Sequence, residues 1–394
     1  MTESLRPEEL SALIQRVFQP RPTERSLAFL VDLPDSIVPD NAAWKQRREM
    51  VADWAEGLHA RAEAGLDIHL VVYRNAHTNN GDLPPVAWVL DPAAGRSGLP
   101  ASAEELADRT SVPFETILDQ HPLLIAPTQF SATAPLKLSA KKHQFRAATM
   151  PGFSESMIPA LRLDYAEINR RVQLLKGLLD DATSATCRFL VDGKTERELV
   201  LDLRHRLAHA SGGVFPDIGV AGNLPSGETY IVPYEGEVPG DSSRSCGLLP
   251  VELDGDIVTY QIEGNKAVAV LNPGDSKVAE SESRRIVQEP AYANLAELGL
   301  GVLDAFGVEP TGEILLDEKL GLHIAFGRSD HFGGQVGPSS FSSPDAVVHI
   351  DRVYVPRIQP RVRAVSVELT TSAGAAVPIL QDGRYVVDFG ARGK

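Results

Sequence analysis

Five short segments in the second half of the chain carry side chains that can bind a metal ion. They are NLPSGE, AELGLG, LDEKLGLHIAFG, DHFGG and VHID, and their candidate residues are Glu228, Glu297, His323, Asp330, His331, His349 and Asp351. Neutral imidazole and carboxylate groups suit Zn²⁺, Co²⁺, Mn²⁺ or Fe²⁺, and no cysteine lies in these segments to favour a thiolate-bound metal. The residue types therefore predict a site for a divalent metal.

The spacing of these residues indicates how they could converge. Residues two apart face the same side of an extended strand, so His349 and Asp351 can reach one ion. His323 lies in an apolar run, where a buried imidazole needs a polar partner. Two histidines and one carboxylate would satisfy a single non-haem iron, whereas Glu228 and Glu297 add more ligands than one ion takes. The surplus predicts either two metals or one metal with a general base.

Each signal alone also has a plainer interpretation. An isolated His-x-Asp pair is usually a surface feature of a strand, and Glu318 beside Lys319 is typical of a solvated turn. His205 and His209 are four apart in RHRLAHA and would share one helical face, where surface exposure or packing is the default. The concentration of acids and histidines in Gly-rich or apolar segments favours a site over these alternatives.

The first half of the chain reads as alternating helices and strands. Apolar spacing predicts helices over Pro7–Val17 and Ala43–Ala64, and a capped helix starting at Ser102. Apolar runs predict strands at Leu27–Val31, Ile68–Tyr73, Leu123–Ala126 and Arg146–Met150. This order predicts an α/β domain with a largely parallel sheet. The chain has no GxGxxG or Walker motif for binding a nucleotide.

The second half changes character after a break near residues 151 to 163. Asp164–Leu179 is an amphipathic helix, and Asp192-Gly193 predicts the turn of a hairpin. Further strands are predicted at Tyr230–Pro233, Ile257–Ile262, Ala267–Leu271, Val347–Ile350 and Arg363–Leu369. We therefore expect an N-terminal α/β domain over residues 1–155, followed by a β-rich α+β metal-binding domain over 156–394.

Composition limits the classes of partner and compartment. The 394 residues carry a formal net charge of −15, which argues against binding to nucleic acid or to an anionic membrane. The chain has two cysteines, no basic and apolar leader, and no long apolar run. We expect a cytoplasmic protein that acts on a peptide or another small molecule.

The metal-type segments, taken in order, resemble the aminopeptidase T or M29 family of metallo-aminopeptidases. The resemblance rests on NLPSGETYIVP, AELGLG, LDEKLGLHIAFG, HFGG and VHID, and on SATAPLKLSAKKHQFRAATMPGF before them. It extends from about residue 120 to 355 and is weak over the first hundred residues. The resemblance implies a homodimer, an interdomain cleft and two divalent metals in the C-terminal domain.

Position by position, the resemblance implies a set of ligands: Glu228, Glu297, His323, His349 and Asp351. With two metals activating a bridging water, we expect Glu297 to act as the general base. A family tyrosine seven residues after the first histidine binds metal and assists catalysis, and Asp330 stands there, with His331 next. Asp330 could bind a metal but cannot supply a phenol, so we expect Asp330 and His331 to take part in catalysis differently.

Three functions are compatible with these residues. The first is a metal-dependent hydrolase of peptide or amide bonds that releases N-terminal residues with Zn²⁺, Co²⁺ or Mn²⁺. The second follows from the 2,5-dihydroxypyridine dioxygenases of the same broader family, in which His323, His349 and Asp351 would hold one Fe²⁺. The third is a catalytically degenerate peptide-binding protein in a biosynthetic pathway. Retention of both Glu228 and Glu297 favours the hydrolase.

Overall fold

A computed structural model describes residues 4–61 and 65–390. The helices are α1 (Pro7–Phe18), α2 (Ala42–His59), α3 (Phe114–Gln120), α4 (Thr133–His143), α5 (Ile158–Leu161), α6 (Tyr165–Asp180), α7 (Lys277–Gln288) and α8 (Ile314–Asp317). Part of the helix predicted to reach Ala64 falls on residues 62–64, outside the described residues.

The strands are more numerous in the second half than in the first. They are β1 (Ser26–Leu33), β2 (Asp67–Arg74), β3 (Val86–Leu90), β4 (Val112–Pro113), β5 (Leu123–Ala126), β6 (Arg146–Thr149), β7 (Ala182–Val191), β8 (Thr195–Asp202), β9 (His209–Ser211), β10 (Ala221–Asn223), β11 (Glu228–Ile231), β12 (Cys246–Leu253), β13 (Asp256–Glu263), β14 (Lys266–Leu271), β15 (Leu295–Gly301), β16 (Leu322–Gly327), β17 (His349–Val353), β18 (Val362–Thr371), β19 (Ala376–Gln381) and β20 (Arg384–Tyr385).

The chain divides into two compact units. The first comprises the chain up to Asn169 with Ser211–Ser226 and Thr311–Leu316, and the second comprises Arg170–Ala210, Gly227–Pro310 and the chain from Asp317 onwards. The domain boundary between residues 155 and 156 stays a prediction.

A seven-stranded sheet in the order β10-β6-β5-β1-β2-β3-β4 forms the centre of the first unit. The strands from β10 to β2 pair in parallel, and β3 pairs antiparallel with both β2 and β4. Strand β1 is buried from Leu27 to Leu33, as a strand covered on both faces must be. The predicted α/β class with a largely parallel sheet is confirmed.

One predicted helix of the first unit has a different form. Ala103–Leu106 is a single 3-10 helix, and the Ser102 side chain makes no capping hydrogen bond to it. Without that acceptor, the N–H groups of the first turn lose the cap that the sequence predicts.

The second unit contains an antiparallel eight-stranded sheet in the order β14-β13-β12-β8-β7-β18-β19-β20. Strands β7 and β8 form the predicted hairpin, and Asp192 (φ 50°) and Gly193 (φ 66°) both have the positive φ that its tight turn requires. A five-stranded sheet, in the order β17-β16-β15-β11-β9, carries the candidate site. The β-rich second half is therefore confirmed.

The RHRLAHA segment is not helical, so the expectation that His205 and His209 share a helical face is wrong. His205 has φ 63°, which ends any right-handed helix, and His209 begins β9. The preceding Arg204 instead bonds the carboxylates of Asp202 and Asp241, which fixes an irregular turn. No helix within residues 4–61 and 65–390 is long and apolar enough to cross a membrane.

Candidate metal centre

One face of the five-stranded sheet carries all five candidate ligands. Glu297 on β15 is opposite Ala325 on β16, and Ala325 is opposite Asp351 on β17. Because side chains two apart share a face, His323 and His349 join this row. Glu228, the first residue of β11, is opposite Gly301 at the end of β15. The register of four strands therefore brings the ligands together.

Small residues between the ligands leave room for their side chains. Gly299 is opposite His323, and a Cβ atom at Gly299 would overlap the imidazole ring. A Cβ atom at Gly301 would overlap the backbone of Lys319, which lies against the same face. The Glu-x-Gly-x-Gly sequence of β15 thus supplies one ligand, Glu297, and two positions without a side chain, which His323 and Lys319 lie against.

The opposite face of these strands is apolar and buried. Leu298 and Leu300 of β15, with Ile324 and Phe326 of β16, are each 0% exposed. Thr229 of β11 donates from Oγ1 to the carbonyl oxygen of Val172 in α6 at 2.6 Å. The alternation of apolar and ligand residues fixes which face carries the site, because a shift of one residue would bury the ligands in the core.

The ligands form two groups that share Glu297. Glu228, Glu297 and His323 form the inner position, which is buried, and Glu297, His349 and Asp351 form the outer position, which is partly exposed. His323 Nε2 lies 3.1 Å from Glu297 Oε1, and His349 Nε2 lies 3.3 Å from Glu297 Oε2. Each oxygen of one carboxylate therefore faces a different imidazole.

Neighbouring charges strongly shift the pKa values of the ligand side chains. Burial opposes ionisation of Glu297, but the hydrogen bonds of His323 and His349 outweigh it and lower its pKa to about 2. Burial likewise opposes the charged form of His323, but the hydrogen bond and charge of Glu297 raise its pKa to about 9. The carboxylates thus stabilise positive charge where a cation would bind.

Two carboxylate oxygens that accept no hydrogen bond, each 3.5 Å from an imidazole nitrogen, test whether the residues fit a metal. Glu228 Oε2 and Asp351 Oδ1 are buried and accept no hydrogen bond in the described part of the chain. One belongs to the inner position and the other to the outer position. A buried carboxylate oxygen that accepts no hydrogen bond is costly, and a bound cation would satisfy it. The donor set fits a divalent metal at both positions.

Lys319 is a buried charged residue beside the inner position that the sequence did not reveal. The prediction of a solvated Glu318-Lys319 turn is wrong, because the Lys319 side chain is 0% exposed. Its ammonium donates to Glu228 Oε1 at 2.6 Å and to the carboxylate of Glu318. Burial acts to lower the pKa of Lys319, but the charges of Glu228 and Glu318 raise it above its usual range. The only signal was its position four residues before His323.

Asp330 and His331 lie at the rim of the site. Asp330 accepts a hydrogen bond from Arg328 Nε at 2.6 Å and belongs to neither ligand group found in the described residues. The His331 side chain is 28% exposed, and its ring centre lies 5.5 Å from that of His349. Their predicted catalytic roles stay predictions.

Aromatic rings extend from the outer position. The Phe332 ring centre lies 5.6 Å from that of His349 and 4.7 Å from that of Tyr230. His209 stacks on Tyr230 at 5.2 Å and bonds the carbonyl oxygen of Phe332 through Nε2. We call His209, Tyr230 and Phe332 the aromatic wall. No sequence pattern indicates it, because His209, Tyr230 and Phe332 come from three separate segments of the chain.

Comparisons with known proteins identify the fold. No protein-family model and no curated protein sequence matches the chain. The structure of a 2,5-dihydroxypyridine dioxygenase from Pseudomonas putida has a TM-score of 0.60 at 14% sequence identity, over 97% of this chain and 98% of that chain. AmpT from Thermus thermophilus has a TM-score of 0.50 at 17% identity, over 97% and 99% of the two chains. This chain therefore shares its fold with both proteins.

Proposed function

We propose that this protein is a divalent-metal-dependent hydrolase of peptide or amide bonds that removes N-terminal residues, as a distant member of the M29 family. The observation that carries the proposal is Glu297, whose two oxygens face two histidines in separate ligand groups. A shared carboxylate is the arrangement expected where two cations are held side by side. The fold shared with AmpT supports the same proposal.

The residues of the chain divide the work. Bound divalent cations would polarise the scissile carbonyl group and lower the pKa of a water molecule towards about 7. Glu228 and His323 hold the inner position, and His349 and Asp351 hold the outer one. Glu297 has an imidazole at each oxygen, so we assign it to fixing both positions in place of the general-base role that the sequence analysis expects. His331, at the exposed rim, is the group we assign to proton transfer.

The first test is metal content with turnover. We expect the purified full chain, supplied with excess Zn²⁺, Co²⁺ or Mn²⁺, to bind two equivalents of the metal and to release N-terminal residues from short peptides. Glu297→Gln keeps the size of the side chain but removes its charge, so it should abolish cleavage and lower metal content. Glu263→Gln, on an exposed strand end of the other sheet, is the matched control and should behave as wild type. Full activity in metal-free protein would refute the proposal.

A second candidate function is ring cleavage by a single Fe²⁺ held by His323, His349 and Asp351. The observation that favours it is the aromatic wall beside His349, because flat rings stack well on other rings. The shared fold with a dihydroxypyridine dioxygenase is compatible with it. One equivalent of iron, with oxygen uptake on adding 2,5-dihydroxypyridine, would select this function over the hydrolase. Peptide binding with no metal and no turnover would select a binding protein.

A further inference from the structure

The cluster of charged groups at the inner position contains a cation supplied by the protein itself. Lys319 is completely buried, and its ammonium lies 2.6 Å from Glu228 Oε1. It arrives there because Gly301 has no side chain, which lets the Glu318–Leu320 turn lie against β15. Held between the carboxylates of Glu228 and Glu318, this ammonium places a positive charge against the inner position.

The two positions therefore differ in charge. At the inner position, the carboxylate of Glu228 binds Lys319 through Oε1 and keeps only Oε2 for another partner. At the outer position, the ion-pair partner of Asp351 is an imidazole, with His349 Nε2 3.5 Å from its Oδ1; Lys319 acts on Asp351 only through space, with no ion pair between them in the described residues. Its Oδ1 has no hydrogen-bond partner there either. A cation bound to Glu228 Oε2 at the inner position is repelled by the Lys319 ammonium, which is bound to the other oxygen of the same carboxylate.

We propose that Lys319 makes the two metal positions unequal, so that the outer position binds a divalent cation tightly and the inner position binds one weakly. This inference rests on the proposed function, since it requires two cation positions. Lys319 acts through Glu228 and is a positioning residue. Repulsion between an ammonium and a dication separated by one carboxylate corresponds to roughly tenfold or more in affinity. Occupancy of the inner position then depends on the concentration of the divalent cation, whereas the outer position stays occupied.

The test is a calorimetric titration of the full chain with Co²⁺ after removal of metal by chelation, with visible absorption followed in parallel. We expect wild type to bind Co²⁺ in two steps that differ by about tenfold or more in affinity. Lys319→Met keeps the length of the side chain but removes its charge, so the weaker step should tighten by about tenfold. Lys319→Arg is the matched control, because it keeps the charge and should retain two unequal steps.

Two ligand variants assign the steps without depending on the folding of the lysine variants. Glu228→Gln should remove only the weaker step, and Asp351→Asn should remove the stronger one. Two equal steps in wild type would overturn this inference and leave the proposed function standing. Loss of the stronger step in Glu228→Gln, or a weaker step that does not tighten in folded Lys319→Met, would also overturn it. A wild-type chain that binds no Co²⁺ would overturn the proposed function itself.

Discussion

Gly299 shows how a missing side chain can define a ligand. Its position opposite His323 leaves the imidazole the space it needs beside Glu297. We expect Gly299→Ala to force His323 away from Glu297, weaken Co²⁺ binding at the inner position and destabilise the fold by about 1–3 kcal/mol. Co²⁺ titration and urea unfolding measure these two effects.

A matched control for that substitution is Gly177→Ala. Gly177 lies in helix α6, and nothing lies within 4 Å of the place where its Cβ would be. Alanine is the better helix former, so we expect stability to rise by about 0.5–1 kcal/mol with no change in metal binding. Equal destabilisation by both alanines would contradict the special role of Gly299.

Individual residues also mark the limit of what the sequence predicts. The pairing of His349 with Asp351 followed from strand periodicity, and both side chains do reach one ligand group. Lys319 could not be predicted, since an Asp-Glu-Lys run normally lies on the surface and only tertiary packing against Gly301 buries it. Periodicity shows which residues share a face, but not which turn will cover that face.

At the scale of elements, the loop between β16 and β17 depends on one buried acid. Glu235, whose side chain is 6% exposed, accepts hydrogen bonds from Ser329 Oγ at 2.6 Å and Asn294 Nδ2 at 2.8 Å, and from the backbone N–H of Gln335. These bonds hold the loop that carries Asp330, His331 and Phe332. Glu235 thus fixes the rim of the site without touching a ligand.

We expect Glu235→Ala to loosen this loop while leaving the ligand groups in place. Buried donors would lose their acceptor, so the fold should be destabilised by about 1–3 kcal/mol. Hydrogen exchange followed by mass spectrometry should show faster exchange over residues 328–336, with metal content unchanged. Glu237→Ala is the control, because the more exposed Glu237 shares the partner Arg206 but does not bond the loop. Unchanged exchange in Glu235→Ala would contradict the anchoring role.

Element prediction succeeded where a segment was long and periodic. The stripe of α1 and the alternation of β7 and β8 matched the structure closely. Strand β10 has only three residues, too few for a pattern, yet it extends the parallel sheet beside β6. Short strands of this kind are specified by their neighbours rather than by their own sequence.

At the scale of the whole molecule, fold class was predictable because apolar runs and helical stripes alternate along the first half and strands dominate the second. A different feature bears on stability towards acid, a contact in the first unit between the buried imidazole of His121 and the partly buried imidazole of His69. His121 is 4% exposed, its Nδ1 lies 2.6 Å from Ser26 Oγ, and its ring centre lies 4.5 Å from that of His69. Burial, with the neighbouring charge of His69, lowers the pKa of His121 to about 4.

This shift predicts a loss of stability in acid. An unfolded chain protonates this histidine near its ordinary pKa of about 6.5, whereas the folded chain resists protonation until about 4. The free energy of unfolding should therefore fall as pH drops between these values, by up to ~1.4 kcal/mol per pH unit from this residue. Urea unfolding from pH 7 to pH 4 measures the slope. His121→Gln should have a shallower profile, and an unchanged slope would contradict the assignment.

The shared face of β11, β15, β16 and β17 has a consequence for how the molecule matures. Its ligands come from four strands joined by long connections, so the pairing of these strands must overcome loop-closure entropy. No fragment containing a single strand could offer a complete ligand group. A cation that binds only the assembled face stabilises the native state by mass action. The fraction of folded chains would therefore increase with the concentration of available metal.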